Sequence, residues 1–449
     1  MTKNRTLLLF NFDWDTDGFS RHTAQHDFDN AGFDLFSFPS NAHLVYFQMA
    51  PFVARMAKQA NKRGWQAVTS SHEQFGALAA ALLSERMGWP GTKPEAVLAC
   101  QHKLFARQVL EQVAPEANVH HGLIDARYGS PIPDGLPYPL FAKPIKAAFS
   151  VLAKHVANHA ELTAHTRFGW GERWVIEHLV EPFERIARQR LPNTSSAHRL
   201  MWEEPINAAQ FNLDGYVFNG QAHAIGVVDS IMYPGSQAFM RFDYPSLLPD
   251  SIQARALDIA ARFLKAVGFN HGLFNMEFFY DTASDRLTVI EFNPRLASQL
   301  ADLYRRVEGL DLYAMALALA YGKDPASEAR LAPTAGAAAS FVFRHFDPLT
   351  AASMPNPNQT AQFHCNYPDG LLLQFPKDIK SLARDYKWLG SHRYGVMHLG
   401  GSDATDLQRR CEAASGLLGW PAPYAEHCVT NTGPAPCYFA QQSTTEAMP

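Results

Sequence analysis

Two short apolar runs carry acidic residues at places where acids are costly. Phe274-Asn275-Met276-Glu277-Phe278-Phe279 precedes Val289-Ile290-Glu291-Phe292-Asn293-Pro294-Arg295, and the stretch between them, Tyr280 to Arg286, is polar and turn-prone. Each run reads as a strand interrupted by an acid. Two adjacent strands bring Glu277, Glu291 and Asn293 within reach of one point, with Arg295 just beyond. All three offer hard oxygen ligands, and magnesium takes such ligands and usually shares them with a nucleotide's phosphates. The arrangement suggests a Mg-nucleotide site with a cation poised over the reacting group. The alternative is a hairpin whose carboxylates face solvent. The flanking Phe, Met, Ile and Val argue against it, because a desolvated carboxylate must be paired or bind metal.

Further residues line up along the chain. Lys103 falls in a helical stretch, and Lys143 ends the short strand Leu140-Phe141-Ala142-Lys143-Pro144. Two lysines can hold a polyphosphate from two sides as point charges. Met201-Trp202-Glu203-Glu204-Pro205-Ile206 ends a strand with acids and then an apolar residue, which suits a hinge offering backbone groups to an adenine edge. Gln210-Phe211-Asn212-Leu213-Asp214-Gly215-Tyr216 opens the next strand, and Arg241 lies on a later one.

The elements that must position these residues are legible in outline. Thr6–Phe12 and Gln66–Ser70 read as strands, Pro51–Gly64 and Glu73–Met87 as helices, and residues 93–113 as one helix carrying Lys103. Residues 165–200 give mixed signals and stay unassigned. Leu200–Ile206, Phe211–Phe218, Ala222–Ser230 and Phe239–Tyr244 read as strands, Ser251–Val267 as a helix, and a long helix is expected from about Leu310 to Tyr321. After a linker at 323–338, Ser340–Phe346, Gly370–Phe375 and Tyr394–Leu399 read as strands, with a helix capped near Asp403 and running to Leu418.

Composition narrows the class. The chain has 449 residues, 39 Lys and Arg against 43 Asp and Glu, and a net charge of −4, with no long basic run, which argues against nucleic acid as the main partner. Its 5 cysteines (Cys100, Cys365, Cys411, Cys428 and Cys437) lack C-x-x-C spacing, so neither a disulfide framework nor a zinc site is expected. Leu7-Leu8-Leu9-Phe10 is too short for a signal peptide, and no membrane-spanning run is found. The expected compartment is a reducing cytoplasm.

In this order and spacing the chain resembles the ATP-grasp superfamily, well over residues 95–325 and more loosely outside them. The resemblance implies α/β and α+β architecture. It divides the chain into an N-terminal α/β domain (1–100), a central ATP-clasping domain (101–325, subdomains 101–206 and 207–325), a smaller C-terminal α+β domain (326–430) and a disordered tail (431–449). It implies that Lys103 and Lys143 contact ATP phosphates. Glu203, Glu204 and Ile206 belong to the adenine hinge, and Gln210 stands where many members carry a ribose-binding acid. Glu277, Glu291 and Asn293 would bind Mg2+ or Mn2+, and Arg295, with Arg241 as a weaker candidate, would face the substrate carboxylate or its phosphorylated form.

The chain also departs from the family. The loop after Lys143 is usually rich in glycine, but here it reads Pro144-Ile145-Lys146-Ala147-Ala148-Phe149-Ser150, leaving Ser150 and backbone amides to cover the phosphates, with Lys146 able to add charge.

Within the superfamily the resemblance favours a carboxylate–amine ligase of the amino-acid ligase kind, acting on a small carboxylic acid and an amine, with a homodimer as a further expectation. Asp302 and Glu308 are candidates by sequence proximity for the base that deprotonates the amine. A biotin-carboxylase-like enzyme is the alternative, although Arg295 is followed by Leu296-Ala297-Ser298-Gln299-Leu300 rather than by that group's Gln-Val-Glu. A non-catalytic nucleotide-binding protein is the reading from a different class.

Overall fold

The computed structural model describes residues 3–35, 40–147, 152–191, 193–347, 352–377, 382, 386 and 389–424. In chain order the strands are β1 (Asn4–Leu9), β2 (His26–Ala31), β3 (Ala67–Thr69), β4 (His121–Ile124), β5 (Leu140–Pro144), β6 (Lys154–Val156), β7 (Leu200–Glu203), β8 (Ala209–Phe218), β9 (Gln221–Met232), β10 (Phe239–Tyr244), β11 (Gly272–Asp281), β12 (Arg286–Asn293), β13 (Ala337–His345), β14 (Leu371–Gln374) and β15 (His392–Gly401). The chain forms two compact units, one of Met1–Asp229 with Tyr244–Thr334, the other of Ser230–Asp243 with Ala335–Pro449.

The first unit holds three layers of sheet. β1 pairs in parallel with β2 and β3, which needs the intervening helices and gives an α/β layer. Its strand core, Leu7, Leu9 and Val68, packs on the helices Met49–Arg63 and Gly76–Met87. A second, antiparallel sheet runs β4-β7-β5-β6. The third runs β12-β11-β8-β9 and buries its apolar face on the helix Asp250–Ala266. There Phe263 stacks on Phe292 with ring centroids 3.9 Å apart.

Several sequence expectations are corrected. Residues 93–113 form two helices, Pro94–Gln101 and Lys103–Val113, broken at His102, whose ψ of 90° is extended. The His102 ring accepts the Phe105 N–H and so caps the second helix, a local competitor that an unbroken apolar pattern hides. The expected helix from Glu73 starts at Gly76, which leaves Glu73 in a loop. The helix expected from about Leu310 to Tyr321 is present as Leu312–Ala320, and a further helix, Ala301–Glu308, precedes it across Gly309, whose φ is 66°. The unassigned stretch contains the helix Trp170–Arg190.

The second unit pairs β13 with β15 and β15 with β14, all antiparallel, and packs them on the helix Ala404–Leu418. Gly395 on β15 faces Trp420 so closely that a Cβ would lie 2.6 Å from the indole, so no larger residue fits without moving the ring. Asp403 caps the last helix through the Asp406 N–H, as the sequence suggests. The tail 431–449, Cys428 and Cys437 lie outside the described residues. Among the described residues no helix is long and apolar enough to cross a membrane.

Phe263 is fully buried under the third sheet. Phe263→Ala is expected to destabilise the first unit by about 3–5 kcal/mol, read as a lowered midpoint in urea denaturation.

Candidate active site

β8, β11 and β12 present one polar face. Glu277 lies opposite Glu291 on one side and Asn212 on the other, and Asn275 lies opposite Asn293 and Asp214. Strand alternation puts Gln210, Asn212 and Asp214 on this face and turns Leu213, Met276, Phe278 and Phe292 into the core beneath.

The face is tied by amides. Asn293 Nδ2 donates to Glu277 Oε1 (3.2 Å) and Asn275 Oδ1 (3.1 Å), and Gln210 Nε2 donates to Glu277 Oε2 (2.9 Å). Asn275 Nδ2 donates to Asp214 Oδ1 (3.0 Å), and the Tyr304 hydroxyl donates to Asp214 Oδ2 (2.7 Å). Burial pushes Asp214 up to about 6 against these donors. Burial, together with the facing Glu291 and with Glu73, pushes Glu277 up to about 8. Gln210 thus holds a site carboxylate, where the resemblance implies contact with a ribose.

A bulge shapes the hairpin. Glu277 pairs with Glu291 but Phe278 pairs with Val289, so Ile290 is the extra residue. The carbonyls this irregularity frees are taken by Arg107, whose Nη1 donates to Val289 O (2.7 Å) and Nη2 to Ile290 O (3.2 Å). Arg107 Nε also pairs with Glu203 Oε1 at 2.7 Å. One buried arginine therefore joins the second sheet to the acidic hairpin.

Glu73, Glu203 and Glu291 each have a cation partner. Lys103, the first residue of its helix, places Nζ 2.8 Å from Glu291 Oε2 and donates to Ala147 O (2.9 Å). Burial opposes the Lys103 charge, but Glu291 and Glu73 outweigh it and raise the ammonium above its ordinary pKa. Lys143 Nζ lies 2.7 Å from Glu203 Oε1. Burial works against the Glu203 charge too, yet Arg107 and Lys143 hold that carboxyl down to about 2. Lys143 shares its single carboxylate with Arg107, so burial prevails and lowers it to about 8. Arg295 Nη2 pairs with Glu73 Oε2 at 2.9 Å.

The structure thus brings Lys103, Lys143, Glu203, Gln210, Glu277, Glu291, Asn293 and Arg295 into one buried network. The Glu203 carboxylate is engaged inside the protein, and the Glu204 N–H donates to His120 O at 2.8 Å. Ile206 lies in the irregular stretch between β7 and β8. Ser150 lies outside the described residues. Arg241 belongs to the second unit, where it pairs with Asp243 at 2.8 Å and lies over the Tyr424 ring. Asp302 is held by Arg305 and Arg306, and Glu308 by Arg330.

Sequence reasoning missed Glu73, Arg107 and Asp214 as members of this network. The alternation Gln210-x-Asn212-x-Asp214 within an apolar strand was a usable signal for Asp214. Glu73 had none, because it reads as the first residue of a helix and in fact lies buried in the loop that precedes one.

The donor set suits a divalent cation. Two partly buried carboxyls face each other in register with an amide beside them, and Glu277 is charge-starved with amides as its hydrogen-bond partners. Among the described residues no group of three or more His, Cys, Asp or Glu is gathered for a metal.

No family model matches the sequence. Over 266 residues the chain is 28% identical to carnosine synthase 1 of Gallus gallus, a match covering 56% of this chain and 27% of that protein. The chain spans less than half the length of the curated relatives it matches. Among solved structures, L-amino acid ligase from Bacillus licheniformis superposes with a TM-score of 0.65 at 14% identity, covering 93% of this chain and 98% of its own. The biotin carboxylase domain of Hydrogenobacter thermophilus 2-oxoglutarate carboxylase, solved with MgADP, ADP and bicarbonate, gives 0.59 at 13% identity, covering 93% and 90%. The chain has the ATP-grasp fold. The matched proteins include two whose names state synthesis or ligation, a carnosine synthase and an L-amino acid ligase.

Glu203 tests the network. Glu203→Gln leaves two buried cations short of a counter-charge and is expected to cost about 3–5 kcal/mol at pH 7. The depressed Glu203 pKa means its stabilisation is present above the ordinary value of 4.5 and is lost as pH falls toward about 2. The gap between wild type and variant in urea denaturation should therefore narrow from pH 4.5 downward.

Proposed function

We propose that this chain is an ATP-dependent carboxylate–amine ligase. It transfers the γ-phosphoryl group of ATP to a carboxylic acid and joins the acyl phosphate to an amine, with an amino acid as the favoured substrate. The observation carrying this reading is the facing of partly buried Glu277 and Glu291 beside Asn293, in one network with Lys103, Lys143 and Arg295.

The chemistry explains why such a site is needed. A carboxylate carbon is a poor electrophile, and an amine does not displace oxide from it at neutral pH. In the first step a carboxylate oxygen attacks the γ-phosphorus and ADP leaves. In the second the amine nitrogen attacks the acyl carbon, inorganic phosphate leaves and the nitrogen loses a proton. The protein's contribution to phosphoryl transfer is positioning and charge neutralisation. Lys103 and Lys143 exchange their carboxylate partners for phosphate oxygens. Arg295 exchanges Glu73 for the acid's carboxylate and stays with the acyl phosphate. A divalent cation held by Glu277, Glu291 and Asn293 would neutralise charge on the phosphate chain. The buried setting of these groups keeps water from the acyl phosphate.

The test is ADP release with pooled amino acids, with products read by mass spectrometry. Turnover that needs both an acid and an amine supports the ligase. Stimulation by bicarbonate with biotin supports the carboxylase reading, and nucleotide binding without turnover supports a non-catalytic role. Glu291→Ala and Arg295→Ala should each abolish ADP formation while the circular dichroism spectrum is retained. Full residual turnover in either variant contradicts the assignment. Lys143→Ala should weaken ATP binding more than acid binding, and unchanged ATP affinity by calorimetry removes Lys143 from the site.

A further inference from the structure

We propose that Lys146 is a further substrate-binding cation, whose ammonium takes an anionic oxygen of the phosphoryl group passing from ATP to the acid. This rests on the ligase reading above and extends it to a residue in the glycine-poor segment after Lys143.

The first ground is what that segment's backbone does. The Ile145 N–H donates to Arg199 O (3.1 Å), and Ile145 O accepts the Lys103 N–H (3.1 Å). Ala147 turns its carbonyl, not its N–H, toward Lys103 Nζ. A glycine-rich loop supplies phosphates with backbone N–H donors. Here the Ile145 N–H is already used by Arg199 O, which leaves a side chain as a further source of positive charge.

The second ground is charge pairing. Glu291 holds Lys103, Glu203 holds Lys143 and Arg107, and Glu73 holds Arg295. Lys146 is 1% exposed and forms no ion pair among the described residues. Its ammonium has three donors, and among the described residues it makes a single long hydrogen bond to Glu73 O at 3.5 Å, with the Phe183 ring 5.3 Å away. A buried ammonium so poorly matched is costly by itself. An arriving anion removes that cost.

The third ground is location. The Lys146 charge interacts with Glu73, Lys103, Glu291 and Arg295, the groups assigned to both the phosphate chain and the acid. Burial lowers its pKa to about 8, so an incoming anion also secures its proton.

The test uses the full chain with saturating ADP and Mg2+, and titrates inorganic phosphate in one arm and acetate in the other by calorimetry. Lys146→Met should weaken phosphate binding by about tenfold or more and leave ADP and acetate within about twofold. Lys146→Arg, which keeps the charge, should retain phosphate within about threefold. The thermal midpoint of Lys146→Met should not fall. Unchanged phosphate affinity in Lys146→Met, a loss confined to acetate, or no phosphate binding by wild type overturns the proposal. Lys146→Gln replaces the Met variant if that one does not fold, and failure of both to fold assigns Lys146 to the core and overturns it. Lys146-dependent phosphate binding without acid-dependent ADP formation leaves this site standing while the ligase reading fails.

Discussion

Charge removed from water must be compensated, and that constraint organises this site. Glu73 and Glu203 are buried, and Glu277 and Glu291 largely withdrawn from solvent, in the same region as Lys103, Arg107, Lys143 and Arg295. Isolated in such surroundings any one of these ions would be strongly unfavourable. Together they form an interlocked set whose members satisfy one another. The same property suits them to handle anions and cations. A triphosphate and a carboxylate can take over the lysines and the arginine, and a divalent cation the acids, without any group being stranded. The pairs are best regarded as placeholders that keep the side chains aimed and desolvated.

The scaffold explains why the set is held so closely. The polar face of β8, β11 and β12 is rigid because its reverse is packed on the helix Asp250–Ala266 through Phe263 and Phe292. The bulge at Ile290 bends the hairpin, and Arg107 accepts the task of satisfying the freed carbonyls while gripping Glu203. The break at His102 sets Lys103 at the head of a new helix rather than midway along an old one. A cation at a helix N-terminus is opposed by the helix dipole. Lys103 is held there by Glu291 and Glu73, which makes the position a property of the whole cluster.

Legibility in the sequence followed the range of the interaction. The facing of Glu277 and Glu291 was readable because both lie on one hairpin, within a few residues of its turn. The strands β1 and β3 and the helices Met49–Arg63 and Gly76–Met87 were readable from capping and periodicity, Gly64 ending the first helix, whereas β2 was not read. The break at His102 was hidden because Pro94–Val113 keeps one apolar period through it and the decisive contact is a single ring-to-backbone hydrogen bond. Glu73 was hidden for the opposite reason. Its partner Arg295 lies 222 residues away, and nothing local to either residue records the pairing. Arg241 sits on a strand as expected, but its guanidinium is engaged by Asp243 and Tyr424 within the second unit.

The grip of Arg107 has an evolutionary consequence. It binds a carboxylate from one strand and two main-chain oxygens from another, so replacing it strands both at once. Replacing Glu203 alone strands the guanidinium and the neighbouring lysine. Neither position can drift by itself without passing through a poorly folded ancestor. In a set of homologues the two columns should therefore change in concert, or not at all, even though 96 positions separate them along the polypeptide.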